Sequence, residues 1–365
     1  MIVITQTQIS DILRQFVLEE DYTAISAPEE ITAGHINRTY LLEARSGGHT
    51  HRYILQRINT FVFTRPVELM ENVVAVTAYI NARGGSTLTV YAAKNGKPYF
   101  VDGENGFWRC YNYVENSCAL QAASGPDDAY RAAKAFGAFQ RMLDGFPIAR
   151  LHETIPDFHN TARRYEALEA AIEKNAAGRK TEVEAEIAFA RARKADCSFL
   201  NPLVETSKIP RRVTHNDTKL NNVLFDKDTG AALCVVDLDT IMPGLSLYDF
   251  GDSLRFLGNT AREDERDLEK VRFSMPLFEA YARGYLEACG GALTPDEIML
   301  LPFSVKLMTY ECGMRFLTDY LDGDVYFRVH APDDNLARCR TQFRLVGHIE
   351  RLLPEMEAYV RKITG

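Results

Sequence analysis

The residues best suited to chemistry lie in one stretch, Val213-Thr214-His215-Asn216-Asp217-Thr218-Lys219-Leu220-Asn221-Asn222, with Val235-Val236-Asp237-Leu238-Asp239 following. A His-x-Asp, an Asn five residues past the Asp, and then an apolar run ending in Asp is an order that suits phosphoryl transfer. One Asp addresses an acceptor hydroxyl, while the Asn and the second Asp hold magnesium on ATP. Asp217 is therefore the expected base. Asn222 and Asp237 are the expected Mg²⁺ ligands, ATP the expected co-substrate, and His215 a brace for the loop. Lys219 is within reach of the γ-phosphate; the alternative is an ordinary exposed loop lysine.

The elements that must position these groups can be read locally. Val223-Leu224-Phe225 is a short apolar run, Asp226-Lys227-Asp228-Thr229-Gly230 a polar turn closing on Gly, and Ala231 to Val236 is apolar again. Two such runs joined by a Gly-containing turn predict a β-hairpin. Antiparallel pairing brings its outer ends together, so Asn222 entering the first strand is expected near Asp237 leaving the second. One neutral oxygen donor and one carboxylate suit magnesium, a hard cation that keeps waters and shares phosphate oxygens. Asp249-Phe250-Gly251 spells a metal-binding triplet, but no hairpin delivers it and it opens an apolar-periodic helical segment. Asp249 is better read as a helix cap or a brace for the catalytic loop.

Composition narrows the class. The 365 residues carry 42 basic and 50 acidic side chains, a net charge of −8, which argues against a nucleic-acid partner. The seven cysteines are odd in number, scattered and without a C-x-x-C pair, the pattern of reduced thiols. No apolar run approaches membrane-spanning length, and the amino terminus has no basic region followed by an apolar core. The expected partners are small molecules, with no membrane, and the expected compartment is the cytoplasm.

Along the chain, strand signals come first and helical ones follow. A turn entering a strand is predicted at 34–42, and strands at 52–58, 88–91, 98–101 and 107–114. A helix over 67–80 buries Leu69, Val73, Val76 and Ile80. Helical periodicity then covers about 128–145, a largely solvated Ala/Glu/Arg/Lys run at about 160–195, and segments near 262–288, 295–323 and 335–362. The prediction is an α+β, two-lobed, protein-kinase-like fold. A five-stranded antiparallel N-lobe (1–114, nucleotide-binding) precedes a mainly helical C-lobe (115–365) that carries the catalytic hairpin and the metal and acceptor sites. In such folds the interlobe segment offers backbone hydrogen bonds to adenine, which makes Val114 and Glu115 nucleotide-contact candidates; a plain connection is the alternative.

Several strings carry a family resemblance: Gly34-His35-Ile36-Asn37, Tyr53-Ile54-Leu55-Gln56, Val213 to Asn222, Asp237-Leu238-Asp239-Thr240-Ile241-Met242-Pro243-Gly244, and Glu311-Cys312-Gly313-Met314-Arg315-Phe316-Leu317. Over nearly its whole length the chain resembles the aminoglycoside phosphotransferase and choline kinase superfamily, and within it the N-acetylhexosamine 1-kinases. The resemblance implies ATP-dependent phosphorylation of the anomeric hydroxyl of GlcNAc or GalNAc. It also implies sugar contacts from Arg315, Tyr326 and His35. Asp319 joins them as the next rung of the face shared by Glu311 and Arg315, a face that spacing alone reads as a solvated salt-bridge ladder.

The nucleotide side departs from the protein kinases. Gln56 stands where they place a strand lysine, and Gly34 alone replaces a Gly-x-Gly-x-x-Gly loop. The cation for the α- and β-phosphates is thus open between Arg52, Arg57 and another residue. No P-loop, nucleophile elbow or His-Glu-x-x-His motif is present. Two other readings remain. One is a kinase of the same fold acting on an aminoglycoside, choline, homoserine or methylthioribose. The other is a non-catalytic nucleotide-binding scaffold, which has no need of Asp217, Asn222 and Asp237 together.

Overall fold

A computed structural model describes residues 5–18, 22, 24–32, 36–46 and 48–365. Gly34 and His35, expected at the nucleotide and the sugar, lie outside the described residues. The chain opens with helix α1 (Gln6–Leu13) and the short strands β1 (Ala24–Ile25) and β2 (Glu29–Ile31). Strands β3 (Arg38–Ser46) and β4 (His49–Ile58) precede helix α2 (Pro66–Ala82) and strands β5 (Val90–Tyr91), β6 (Phe100–Val101) and β7 (Phe107–Asn112). Among the described residues these form one antiparallel sheet with the core order β1-β3-β4-β7-β5; β2 adds to β3 and β6 to β7. All five expected strands are there. Two more, β1 and β2, are two and three residues long, too short to show a period-2 pattern.

Register decides which side chains share a face. Thr39 pairs with Gln56 across β3 and β4, and Gln56 with Arg109 across β4 and β7, so the three form a row. On the other face Tyr40, Leu42, Leu55, Trp108 and Cys110 join Ile9, Leu13 and Phe16 in a buried cluster. Pro66 starts α2 at a position where its missing N–H costs nothing. Its stripe of Leu69, Val73, Val76 and Ile80 is buried as predicted.

The chain then runs through β8 (Ser117–Ala119), α3 (Pro126–Met142), α4 (Thr161–Lys174), α5 (Glu184–Arg191), α6 (Asn201–Glu205) and β9 (Arg212–Thr214). The predicted hairpin forms from β10 (Val223–Asp226) and β11 (Ala232–Val235). Asp226 Oδ1 accepts the N–H groups of Asp228 and Thr229, and Gly230 takes the left-handed φ of +68° that the turn requires. β8 adds to β10 as a third strand. Strand β12 (Met242–Gly244) pairs with β9, and α7 (Ser246–Leu257), α8 (Met275–Cys289), α9 (Pro295–Asp322) and α10 (Asp334–Thr364) complete the helical part.

The expected helix near 262–288 begins only at Met275. Upstream, charged residues are held by local pairs such as Arg262–Asp264 and Lys270–Asp267, and the apolar phasing starts with Phe278. The 160–195 run is not simply solvated. Tyr165, Leu168, Ile172, Ile187 and Ala190 pack with Tyr310, Met314, Leu317 and Phe343 of α9 and α10. Among the described residues no helix is long and apolar enough to cross a membrane, and all seven cysteines are free.

The architecture is α+β, an antiparallel sheet lobe and a helical lobe. By internal contacts one compact unit comprises Met1–Cys118, Ala149–Ile155 and Leu224–Met242, and the other Ala119–Ile148, Pro156–Val223 and Pro243–Gly365. The first unit therefore runs past the expected boundary at 114 and takes in the hairpin and the segment bearing Asp237. Asn116 links the two stretches: its Nδ2 donates to Asp226 Oδ2 and Asp228 Oδ2, each at 2.9 Å, and its carbonyl accepts from Lys227 N–H.

Candidate active site

Within the helical unit, the loop after β9 is held from behind. Asp249, in the first turn of α7, is buried, and its two oxygens accept the N–H groups of His215 (2.9 Å) and Asn216 (2.7 Å). Burial pushes its carboxyl pKa up, with the neighbouring His215 and the two N–H groups working against that. Thr218 Oγ1 donates to the Asp249 carbonyl at 2.5 Å, and Ser253 Oγ to the Thr218 carbonyl at 2.6 Å. His215 is fully buried, with Phe136 and Phe139 edge-on to its ring. Gly251 of the literal Asp-Phe-Gly is a packing residue, because a Cβ there would lie 2.4 Å from the Ser304 carbonyl oxygen. Asp249 thus braces the loop, and this triplet presents helix contacts.

Asp217 itself is partly exposed, with Lys219 Nζ 2.7 Å from its Oδ1. Burial opposes the charge on Lys219, but the Asp217 carboxylate outweighs it and raises the ammonium pKa. Asn222 Nδ2 donates to the Asp217 carbonyl at 2.8 Å.

A second support was not legible in the sequence. His159 is buried, its Nε2 3.1 Å from the Asn216 carbonyl oxygen and its Nδ1 2.9 Å from Glu311 Oε1. Thr161 Oγ1 donates to Glu311 Oε2 at 2.6 Å. Burial raises the Glu311 pKa, yet His159, Thr161 and Arg315 together hold it below the usual value. Glu311, Arg315 and Asp319 do not form a surface ladder: Glu311 and Asp319 are buried, and each carboxylate has its own internal partners.

Asp319 accepts the N–H groups of Val325, Tyr326 and Phe327 at 2.8–2.9 Å, and Asn335 Nδ2 at 2.8 Å. It therefore shapes the loop that carries Tyr326. Arg315 lies over the rings of Phe158, Tyr326 and Phe327, 5.5–5.9 Å from each centroid. Arg315, Tyr326 and Phe327, with Arg164, Asp319 and Asp322, line a cavity of about 280 Å³. Burial first, and Arg315 second, lower the pKa of Arg164, whose guanidinium donates to the Phe158 carbonyl.

In the sheet unit, Asp237 follows β11 with φ +61° and ψ +57°, a left-handed conformation that Asp tolerates better than most residues. Its side is exposed, while Leu238 and Asp239 are buried. Gln56 is not available as a substitute lysine. Its Nε2 donates to Thr39 Oγ1 at 2.9 Å and its Oε1 accepts Arg109 Nε at 2.8 Å. Arg52 pairs with Glu115 and Arg57 lies over Trp108. The Val114 carbonyl accepts Ser117 Oγ at 2.6 Å, and Glu115 is exposed. Among the described residues no three His, Cys, Asp or Glu side chains cluster as a metal site. Magnesium in phosphotransferases is commonly held by one or two protein oxygens with phosphate and water completing its shell. Asn222 and Asp237 match that donor chemistry.

Residues 28–293 match the model of the phosphotransferase enzyme family. The chain belongs to this family. Its fold is similar to a microcompartment-associated aminopropanol kinase, with TM-score 0.61 and 17% identity over 96% of this chain and 98% of that one. An aminoglycoside phosphotransferase from Alicyclobacillus acidocaldarius gives 0.60 and 12% over 97% and 96%. Spectinomycin phosphotransferase in complex with ADP and spectinomycin gives 0.58 and 13% over 96% and 99%. At such identities the likeness is one of fold: the sheet lobe and helical lobe of kinase-like phosphotransferases.

Proposed function

We propose that this phosphotransferase uses Mg-ATP to phosphorylate the anomeric C1 hydroxyl of an N-acetylhexosamine, yielding the sugar 1-phosphate. The observation that carries the reading is the pocket around Arg315. Aromatic faces suit the C–H faces of a sugar ring, and a guanidinium presents several fixed donors to neutral oxygens. The structural neighbours include kinases named for aminopropanol, choline and spectinomycin. Arg164 and Arg315 offset the two carboxylates of the pocket, Asp319 and Asp322, and the Asp319 carboxylate is already occupied by backbone N–H groups, which favours a neutral acceptor over a cationic one.

In this reading Asp217 orients the acceptor hydroxyl in line with the γ-phosphate and takes its proton late. Phosphoryl transfer draws mainly on positioning and charge neutralisation. Lys219, already paired with Asp217, is placed in sequence to meet the γ-phosphate as it arrives. Asn222 and Asp237 would hold magnesium, which would offset the negative charge of the phosphates. Asp249 and His159 keep the loop backbone rigid around Asp217.

The test is incubation with Mg-ATP and a panel of free sugars, amino alcohols and aminoglycosides. ADP release should track loss of the sugar's reducing end. Phosphate at the 6-hydroxyl, or turnover only with cationic acceptors, overturns the reading.

A further inference from the structure

The row Thr39–Gln56–Arg109 ends on a carboxylate that the phosphotransfer reading leaves without a task. Arg109 Nη1 lies 2.5 Å from Asp239 Oδ1, and the two side chains are 5% and 3% exposed. Asn37 Nδ2 donates to Asp239 Oδ2 at 2.6 Å, while Asn37 Oδ1 accepts the Asn59 N–H at 2.9 Å. Two residues further on, the Ile241 carbonyl accepts Asn72 Nδ2 of α2 at 3.0 Å. The segment after Asp237 is therefore gripped at 239 by Asn37, just ahead of β3, and by Arg109 of β7, and at 241 by α2.

In protein kinases the strand lysine pairs with a helix glutamate. Here neither glutamate of α2 faces Arg109, since Glu68 bonds Arg65 and Glu71 bonds His152. We propose that Arg109 is a positioning residue for magnesium: seated on Gln56 and paired with Asp239, it locks the turn that presents Asp237. This rests on the phosphotransfer reading and extends it to a residue that the motif does not mark.

Two physical points support the assignment. A non-glycine residue in a left-handed conformation persists where its surroundings over-determine it, and Asp237 has φ +61° two residues before the clasp. Arg109 also lies within the field of Asp237 as well as Asp239. Burial works against its charge, and both carboxylates favour it. A planar fork can meet Gln56 and Asp239 at once, which a point ammonium cannot.

The test uses the full chain with Mn²⁺ and ADP as probes, reading Mn²⁺ binding by EPR and thermal unfolding without metal. Arg109→Met should unfold at lower temperature, because it leaves the Asp239 charge buried without its counter-charge, with only the Asn37 hydrogen bond remaining. The double variant Arg109→Met/Asp239→Asn should recover most of that loss yet bind Mn²⁺ about 10–100-fold more weakly, as expected for outer-shell partners. Asn37→Ala, which unpairs no charge, should weaken Mn²⁺ in the same direction with little change in unfolding. In both, the acceptor KM should stay near wild type. Wild-type Mn²⁺ affinity in either variant overturns the positioning role and leaves the pair purely structural. If the wild-type chain itself fails to bind Mn²⁺ with ADP, the phosphotransfer reading falls, and this inference with it.

Discussion

Glu311 and His159 face each other at 2.9 Å in the buried interior of the helical unit, and the far side of the same imidazole meets the carbonyl oxygen of Asn216 at 3.1 Å. One turn along α9 from Glu311, Arg315 enters the aromatic pocket. The helix that lines the Arg315 pocket thus also holds the residue preceding Asp217. In the proposed mechanism, acceptor and base would both be referred to this one helix.

Asp217→Asn keeps the loop's hydrogen bonds to Asp249 but removes the proton acceptor. Turnover should fall by about 10²–10⁴-fold, with unfolding temperature and ATP binding close to wild type. Near-normal ADP release would remove Asp217 from the mechanism.

Arg315→Ala should raise the sugar KM much more than the ATP KM, since its guanidinium lies among Phe158, Tyr326 and Phe327 within the helical unit. Steady-state kinetics with each substrate varied in turn checks this. An unchanged sugar KM would leave Arg315 with a packing role only.

The Asp249-Phe250-Gly251 triplet should behave as structure. Asp249→Ala strips the acceptor from two buried N–H groups, at roughly 1–3 kcal/mol each, and activity should fall with stability. Gly251→Ala forces a Cβ to 2.4 Å from the Ser304 carbonyl and should cost about 1–3 kcal/mol by overpacking. Denaturant melts measure both. Unaltered stability in Gly251→Ala would contradict the close helix contact.

Glu311 gives a pH signature. Its folded pKa is depressed, so folding favours the ionised form. The resulting stability is complete above the ordinary Glu value of 4.5 and is lost as pH falls through the lower folded value. Glu311→Gln should therefore lower stability at neutral pH by about 1–3 kcal/mol, and the gap should narrow below pH ~4.5. Thermal melts across pH 3–7 read it; a gap independent of pH would rule out the ionised pairing.

Much of the site was legible because its parts are local. The hairpin follows from two apolar runs around Asp226–Gly230, and the spacing of His215, Asp217 and Asn222 belongs to one loop. The brace role of Asp249 was readable from its place at a helix start. Helical spacing puts Asp319 beside Arg315, where it lines the same pocket, but gives no sign that three backbone N–H groups of the following loop claim its carboxylate. His159, Thr161 and Asn72 gave no signal, since each acts through partners 57 or more residues away in sequence.

The order of chemical residues, the hairpin between the metal-ligand candidates and the succession of strands then helices are properties of the sequence, set by short-range periodicity and turn chemistry. The tertiary structure alone decided which cation meets which carboxylate. Sheet register puts Arg109 beside Gln56, and Arg109 closes on Asp239. That pairing depends on strands distant in the chain aligning to the residue. A one-residue slip would turn Arg109 to the opposite face, so no local pattern could have announced it.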